Sequence, residues 1–182
     1  MTTSLPAVSA GNEGLLPEDL SGYIGKKTLV KLILEAVEER SARSAEWAGC
    51  GIGDAELRPA MMLTLLTYCY ASGIYGCADI QLGTQHDPMI RYLCAGSCPD
   101  IGALRSFRRY HRETLAACLA ATLRHVWQLR FCGEDAEPIG RVSCLESSLR
   151  RWTDVNLTPD FEREAEKRIT QAARADSMAA DL

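Results

Sequence analysis

Residues 59–73 read PAMMLTLLTYCYASG, and this stretch decides the fold. Pro59 suits the first turn of a helix, where its missing N–H leaves no hydrogen bond unmade. Gly73 can adopt the left-handed backbone that ends a helix. Apolar side chains cover nearly the whole circumference between these two signals, which is typical of a helix that is buried on all sides. We therefore expect the chain to be built around a central helix over residues 59–72.

Helix signals continue on the N-terminal side of this stretch. Residues 26–43 show the 3.6-residue apolar period of an amphipathic helix, with charged residues off the stripe. Residues 44–57 carry three glycines and are predicted to form a loop. Residues 1–22 mix Ser, Gly, Pro and Glu with few apolar residues, so we expect a flexible arm there. The stripe of the first long helix consists of Leu29, Ile33, Ala36 and Val37, widened by Val30 and Leu34.

Shorter helices are predicted on the C-terminal side. One covers residues 76–85, and a second is capped by Asp87 and runs to about residue 96. Asp100 is a ready N-cap for a helical region over residues 101–131. The inner face of residues 111–131 is predicted to be Leu115, Cys118, Leu119, Thr122, Val126 and Leu129. The predicted core of the whole domain is Leu63, Leu66, Tyr70, Leu104, Phe107, Leu115 and Leu119.

The last fifty residues are more polar than the rest. Residues 139–145 are the only plausible strand, and Thr158, followed by Pro159, is predicted to cap a last helix. The apolar stripe of that helix is thin, so we expect the helix to project from the domain or to pack on a partner. The stripe consists of Phe161, Ala165, Ile169, Ala172 and Ala173.

Composition favours an all-α fold, which we predict as a compact multi-helix domain with a helix-turn-helix-like segment and a projecting C-terminal helix. Aromatic residues make up 7% of the chain, and strand-type alternation is scarce. The net charge of −4 argues against a protein that coats nucleic acid without specificity, but it leaves room for one basic face. No apolar run approaches membrane-spanning length, and the N-terminus lacks the features of a secretory signal, so a cytoplasmic location is expected.

The chain contains eight cysteines, which is many for 182 residues. Without a secretory signal, reduced thiols are expected. Cys94 and Cys98 have near-ligand spacing, but only His86 and His111 are near enough in sequence to complete a zinc site. A cysteine–histidine nucleophile pair stays open, because such partners meet in space and not in sequence order. No local signature supports either site, and we predict no metal, no cofactor and no catalytic residue.

A basic helix after Asp100 is the main candidate for a binding site. Ile101, Leu104 and Phe107 form the edge that docks this helix, and four arginines are predicted to fall on its exposed side. Arginine can fork onto guanine edges or clamp phosphates, so this pattern indicates DNA binding. The alternative is a solvated basic face that pairs with nearby acids. The predicted DNA-binding residues are Arg105, Arg108, Arg109 and Arg112.

The order of these residues resembles the N-terminal helical domain of bacterial insertion-sequence transposases of the DDE type. In that family a Pro-led leucine helix, a Gly-containing turn, a short helix and a Pro-Asp-His turn precede a closing Phe-Arg-Arg helix. Here the leucine helix lies at 59–73, Cys-Pro-Asp at 98–100 and Phe-Arg-Arg at 107–109. Gly-Cys-Ala-Asp at 76–79 replaces the usual Ser-Ser-Arg, and Ile-Gly at 101–102 replaces His-x-Thr.

The resemblance covers residues 17–131 well and residues 139–182 loosely. It follows the flexible arm that composition predicts over 1–22. It implies a transposase N-terminal-like helical domain over 23–131 and a degenerate remnant of the start of a catalytic domain, with its helix, over 132–182.

Catalysis by the DDE mechanism needs three carboxylates that hold two metal ions. In the resembled family the first Asp follows a Gly-x-Val strand, in an Asp-Gly-Thr turn. The matching segment at 140–148 reads GRVSCLESS, which has Leu145 at that position and Glu146 one place away. A shift of one residue on a strand reverses the direction in which the side chain faces. We therefore expect a protein that has no catalysis of its own.

The resemblance implies double-stranded DNA as the partner, and it leaves open a homodimer or a separate chain that supplies catalysis. The other hypothesis is a non-catalytic protein-interaction domain or a vestigial helical fold. The negative net charge of the whole chain favours that second hypothesis.

Overall fold

The computed structural model describes residues 16–43, 59–131 and 159–180. The predicted loop at 44–57, the weak strand at 139–145, the Leu145–Glu146 positions and Thr158 lie outside the described residues. Within the described residues the secondary structure is entirely helical, which confirms the all-α prediction. The helices are α1 (Leu20–Ile24), α2 (Lys26–Arg43), α3 (Pro59–Ala71), α4 (Cys77–His86), α5 (Pro88–Leu93), α6 (Ile101–Tyr110), α7 (Arg112–Phe131) and α8 (Phe161–Ala180).

Helix α3 is the centre of the domain, as the sequence predicts. Every residue from Met62 to Ala71 is buried, and α2, α5, α6, α7 and α8 all pack against this helix. Gly73 has φ +77°, and the next N–H, of Ile74, donates to the carbonyl of Cys69 at 2.8 Å. That hydrogen bond closes the end of the helix as a glycine stop is expected to do.

The predicted core is confirmed at all seven of its positions, each of which is buried. The inner-face assignment is wrong for two apolar residues, because Leu34 on α2 is 40% exposed and Leu129 on α7 is 48% exposed. Leu34 lies at an edge of its stripe and Leu129 in the last turn of α7, positions where apolar side chains often stay in contact with water.

Side chains at the helix starts agree with most of the predicted caps. Asp87 accepts hydrogen bonds from the N–H groups of Met89 and Ile90, and Asp100 accepts one from Ala103 at 2.6 Å. The last helix begins later than predicted, at Phe161, and Asp160 caps it by accepting from the N–H of Arg163. Helix α6 ends at Tyr110, and the backbone leaves helical geometry at His111, so residues 101–131 form two helices.

The N-terminal arm is the first larger correction. Residues 16–22 are part of the packed domain, because Leu16 and Leu20 are buried in the core and Asp19 caps α1. Helix α1 has only five residues, which is too short to show a helical period in sequence. Residues 1–15 lie outside the described residues.

The C-terminal helix is the second correction, because α8 does not project. It packs along α7, and its predicted stripe residues Phe161, Ala165, Ile169 and Ala172 are buried. The predicted helix-turn-helix-like segment also differs, since α5 and α6 are joined by the seven residues 94–100. A helix-turn-helix has a turn of about three or four residues.

No helix in residues 16–43, 59–131 or 159–180 combines the length and the apolar character that crossing a bilayer requires.

Candidate nucleic-acid interface

The four predicted DNA-binding arginines are placed by α6 and the start of α7, and α8 lies against three of them. The ion pairs that join α6 and α7 to α8 connect residues in opposite sequence order. Arg105 reaches Asp176, Arg112 reaches Glu166, and Arg124 reaches Glu162. Helix α8 is therefore antiparallel to α6 and α7, and its carboxylates face their arginines.

Arg108 is buried, so its predicted place on the exposed side of α6 is wrong. Only 8% of the residue is exposed, and its Nη2 donates to Asp176 Oδ2 at 2.6 Å. Its Nη1 donates to the Tyr70 hydroxyl at 3.3 Å. The physical reason is helical geometry. Arg108 follows Leu104 by four residues and shares its buried face.

Asp176 lies on α8 and ties α4 and α6 to that helix. Its Oδ1 accepts from the backbone N–H of Cys77 at 2.7 Å, and its Oδ2 accepts from the Cys77 thiol at 2.9 Å. The α4 N-cap, Gly76, has no side chain with which to cap the helix, so Asp176 satisfies the first N–H of α4 from a distant part of the chain. Burial acts to raise the pKa of Asp176, but the hydrogen bonds from Cys77 and Arg108 outweigh it and hold the pKa below its usual value.

The other groups of this cluster are held in their ordinary protonation states. Burial, together with the neighbouring carboxylate of Asp176, raises the pKa of the Cys77 thiol to about 12. Burial also raises the pKa of the Tyr70 hydroxyl. A thiol that stays protonated is a poor nucleophile. The cluster of Tyr70, Cys77, Arg108 and Asp176 is therefore a structural clamp, and the cysteine–histidine hypothesis gains no support at Cys77.

Two of the remaining three arginines also bind α8. Arg105 donates to the carbonyl of Asp176 at 3.1 Å, and Arg112 donates to Glu166 at 2.6 Å and to Thr170 at 3.2 Å. Arg109 is exposed, and its guanidinium lies 5.9 Å from the ring of Tyr110. The structure thus brings three of the four predicted residues together against α8 and leaves Arg109 in water.

The carboxylates of α8 are all used within the domain. Glu162 pairs with Arg124, Glu166 with Arg112, and Asp176 with Arg108, while Glu164 pairs with Arg168 and Lys167. On the same helix, Arg163 and Arg174 are exposed and make no ion pair with any described residue. Exposed cations thus remain on the outer face of α8 after its acids have been neutralised.

Arg168 is a buried, multiply hydrogen-bonded residue that sequence reasoning missed. It is 1% exposed and donates to four backbone carbonyls, two from residues 17–18 and two from Tyr70 and Ala71. A cation is favourable beside the last carbonyls of a helix such as α3, because these groups carry its partial negative charge. The available signal was its position three residues after Ala165 and four before Ala172, which places it on the buried stripe.

The residues considered for a zinc site, Cys94, Cys98, His86 and His111, do not form a ligand set in the described residues. Cys94 is buried and Cys98 is exposed, with the Cys98 sulfur 3.1 Å from the hydroxyl of Thr84. Among the described residues, no three Cys, His, Asp or Glu side chains are arranged to hold a metal ion.

A groove of about 440 Å³ lies over α7, between α2 and α8. It is lined by five alanines and by the charged residues Glu39, Arg40, Glu113, Arg124, Glu162 and Glu166. These charges are of both signs, so the groove offers no surface of one sign to a charged partner.

Comparison with known proteins gives no relative for this chain: no family model matches it, nor does any curated protein or any solved structure. The likeness to transposase N-terminal domains therefore rests on the sequence pattern at 59–131.

Proposed function

We propose that this protein binds double-stranded DNA as a non-catalytic helical domain of the transposase N-terminal type. The observation that carries the proposal is that the acidic residues of α8 are paired whereas some of its basic residues are not. Its carboxylates after the cap are paired inside the domain, whereas Arg163 and Arg174 on α8 and Arg109 on α6 are exposed without an ion pair among the described residues. A surface with cations left over favours a polyanionic partner.

The distribution of charge along the chain supports the same proposal. The described residues hold 16 Lys and Arg against 14 Asp and Glu, a net charge of +2. The whole chain holds 20 against 24, so the acidic excess lies in the stretches outside the described residues. The net charge of −4, which argued for the interaction-protein hypothesis, therefore does not describe the helical domain.

The proposal of no catalysis rests on sequence. Leu145 stands where the resembled transposases have their first metal-binding Asp. Two metal ions need several carboxylates, and the described residues bring no such group together. Purified protein is expected neither to cut nor to join DNA strands with magnesium or manganese. Strand transfer that disappears in Glu146→Gln would overturn this part, because Glu146 would then be the displaced metal ligand.

A cytoplasmic location with access to DNA follows from the proposal, and it agrees with the five described cysteines, which are all free thiols. A homodimer and a separate catalytic chain stay open as partners. Sedimentation of the protein with and without DNA distinguishes a monomer from a dimer.

The test is a binding titration of the full chain with a fluorescent duplex at 50 and 200 mM salt. Random-sequence duplexes and candidate transposon ends serve as targets. We expect a dissociation constant in the range of about 10⁻⁴ to 10⁻⁶ M on random duplex, with affinity that falls as salt rises. No binding at the lower salt concentration, or binding that salt does not change, would reject the proposal and leave the interaction-protein hypothesis as the better one.

A further inference from the structure

The outer face of α8 presents three cations in one row. Arg163, Lys167 and Arg174 are separated by four and seven residues, which places them within about 40° of one another around the helix. All three are exposed. The buried residues Ala165, Ile169 and Ala172 occupy the opposite side, so the row faces away from the domain. We call Arg163, Lys167 and Arg174 the outer row.

The dimensions of the outer row suit a polyanion. Eleven residues of helix separate its ends, a length of about 16 Å. Duplex DNA carries one negative charge for about every 1.7 Å of its axis, so a row of this length spans several phosphates. Arg112 adds a fourth cation at the side of the row, because it donates to Thr170 on the same helix, and it also neutralises Glu166 there.

The outer row is also held rigidly in position. Arg168 and Asp176 fasten the inner side of α8 through buried hydrogen bonds to α3, α4 and α6. A helix that is fixed before binding loses little conformational freedom when it binds, which favours affinity. Helix α6 offers fewer free cations, because Arg108 is buried and Arg105 is tied to α8.

We infer that α8, and not α6, makes the DNA contact, with Arg163, Lys167 and Arg174 bound to backbone phosphates. The inference rests on the proposed function and adds its surface and its mode of binding. Contacts to phosphates position a protein on the duplex but carry no sequence information directly. The outer row should therefore contribute equally on every duplex sequence.

The test compares two triple variants of the full chain. The first carries Arg163→Ala, Lys167→Ala and Arg174→Ala. The second carries Lys27→Ala, Lys31→Ala and Arg91→Ala, which remove the same charge from exposed positions on α2 and α5. Circular dichroism and thermal midpoints check that both variants fold. A third variant, Arg163→Lys with Arg174→Lys, keeps the charge of the row.

We expect the first variant to flatten the line of log affinity against log salt by about 0.9 for each lost phosphate contact, on all duplexes alike. The second variant should keep the wild-type slope, and the third should keep most of the affinity. Equal losses in the first two variants would overturn the inference, because binding would then depend on total charge alone. Unchanged binding in the first variant with loss in Arg109→Ala would assign the contact to α6.

Two outcomes separate the inference from the proposed function. Wild-type protein that binds no duplex would overturn both. Wild-type protein that binds duplex through other residues would overturn the inference and leave the proposed function standing. Vesicles with anionic lipids are included as a second polyanion, and binding to them but not to DNA would assign the outer row to a membrane surface and reject the inference.

Discussion

Arg108 of α6 and Asp176 of α8 form a buried ion pair, with Nη2 and Oδ2 separated by 2.6 Å across 68 residues of sequence. The pair joins the helix that was predicted to read DNA to the helix that was predicted to project. It explains both the burial of Arg108 and the packing of α8, because Arg108 turns inward to meet a carboxylate that α8 carries into the core. Of the four arginines predicted to bind DNA, only Arg109 is therefore left exposed without an ion pair among the described residues.

Replacing Asp176 by alanine should destabilise the domain strongly. The change leaves the charge of Arg108 and the N–H of Cys77 without their partner in a buried place. Breaking a buried ion pair by removing one partner costs about 3–5 kcal/mol. The free energy of unfolding in urea measures the effect.

Glu166→Ala is the matched control for Asp176→Ala, because it breaks an ion pair of equal length whose two side chains are 44% and 47% exposed. We expect that control to change stability by about 1 kcal/mol or less. Equal effects of the two changes would contradict the clamp role of Asp176.

Stability should fall at acid pH, and Asp176 should account for part of the fall. The native pKa of Asp176 lies below the ordinary value of 3.8, so the unfolded chain binds the proton more readily. The stabilisation is present above about pH 4 and is lost as pH falls through the native pKa. Unfolding free energies between pH 7 and pH 3 should therefore drop less steeply below pH 4 in Asp176→Asn than in the wild type.

A second titratable group, His111, affects stability at higher pH and serves as an internal control. Burial lowers the pKa of His111 below its ordinary value of 6.5. Its contribution to stability is present above about pH 6.5 and is lost as pH falls through the lower native pKa. His111→Gln should remove that part and leave the fall below pH 4 in place. Identical pH profiles for Asp176→Asn and the wild type would show that the carboxylate of Asp176 is not the titrating group.

Apolar periodicity predicted the fold well where helices are long or clearly capped. Helix α3 and the caps at Asp87 and Asp100 carry local signals that tertiary contacts do not override. Helix α1 was missed because five residues cannot show a period, although Asp19 before Leu20 is a cap signal. The packing of α8 was missed because Arg168 and Asp176 make its buried stripe look polar.

The candidate site was harder to predict, because its decisive contacts are between residues far apart in sequence. Nothing near Arg108 in sequence shows that Asp176 will meet it, and a solvated arginine and a clamped arginine have the same local pattern. The helical position of Arg108, four residues after Leu104, was the usable signal, because it places Arg108 on the predicted docking edge and not on the exposed side. The outer row was readable from the four- and seven-residue spacing on α8, but only after its inner face was known.

Truncation of a core leucine should test the central position of α3. Leu66 is fully buried, and Leu66→Ala should cost about 2–5 kcal/mol in unfolding free energy. Leu82 on α4 is 56% exposed, so Leu82→Ala is the control with the same chemical change and a much smaller expected effect. A denaturant midpoint for Leu66→Ala within error of the wild type would place this leucine outside the core.

Short treatment of the native protein with a thiol reagent should modify Cys98 first among the described cysteines. Cys98 is exposed, whereas Cys69, Cys77, Cys94 and Cys118 are buried. Burial also raises the pKa of Cys77 to about 12, which leaves little thiolate to react. Mass spectrometry of the peptides measures each thiol separately, and the urea-unfolded protein shows the rate without burial. Rapid native modification of Cys77 would mean that the Arg108–Asp176 clamp opens easily.

Replacing Arg168 by lysine should destabilise the domain although the charge is kept. The guanidinium of Arg168 donates from three nitrogens to Glu164, Pro17, Glu18, Tyr70 and Ala71. A lysine ammonium has three donors on one atom and cannot reproduce this spread, so at least one buried carbonyl loses its partner. A buried carbonyl without a hydrogen-bond partner costs about 1–3 kcal/mol.

Arg163→Lys is the matched control, because Arg163 lies exposed on the same helix and its side chain binds no backbone carbonyl in the described residues. The free energy of unfolding and the amide exchange of residues 69–74 are the measurements. Loss of stability with faster exchange at the end of α3 in Arg168→Lys, and neither in Arg163→Lys, is the expected result. An unchanged exchange rate there would show that Arg168 stabilises the domain by its charge and not by holding the end of α3.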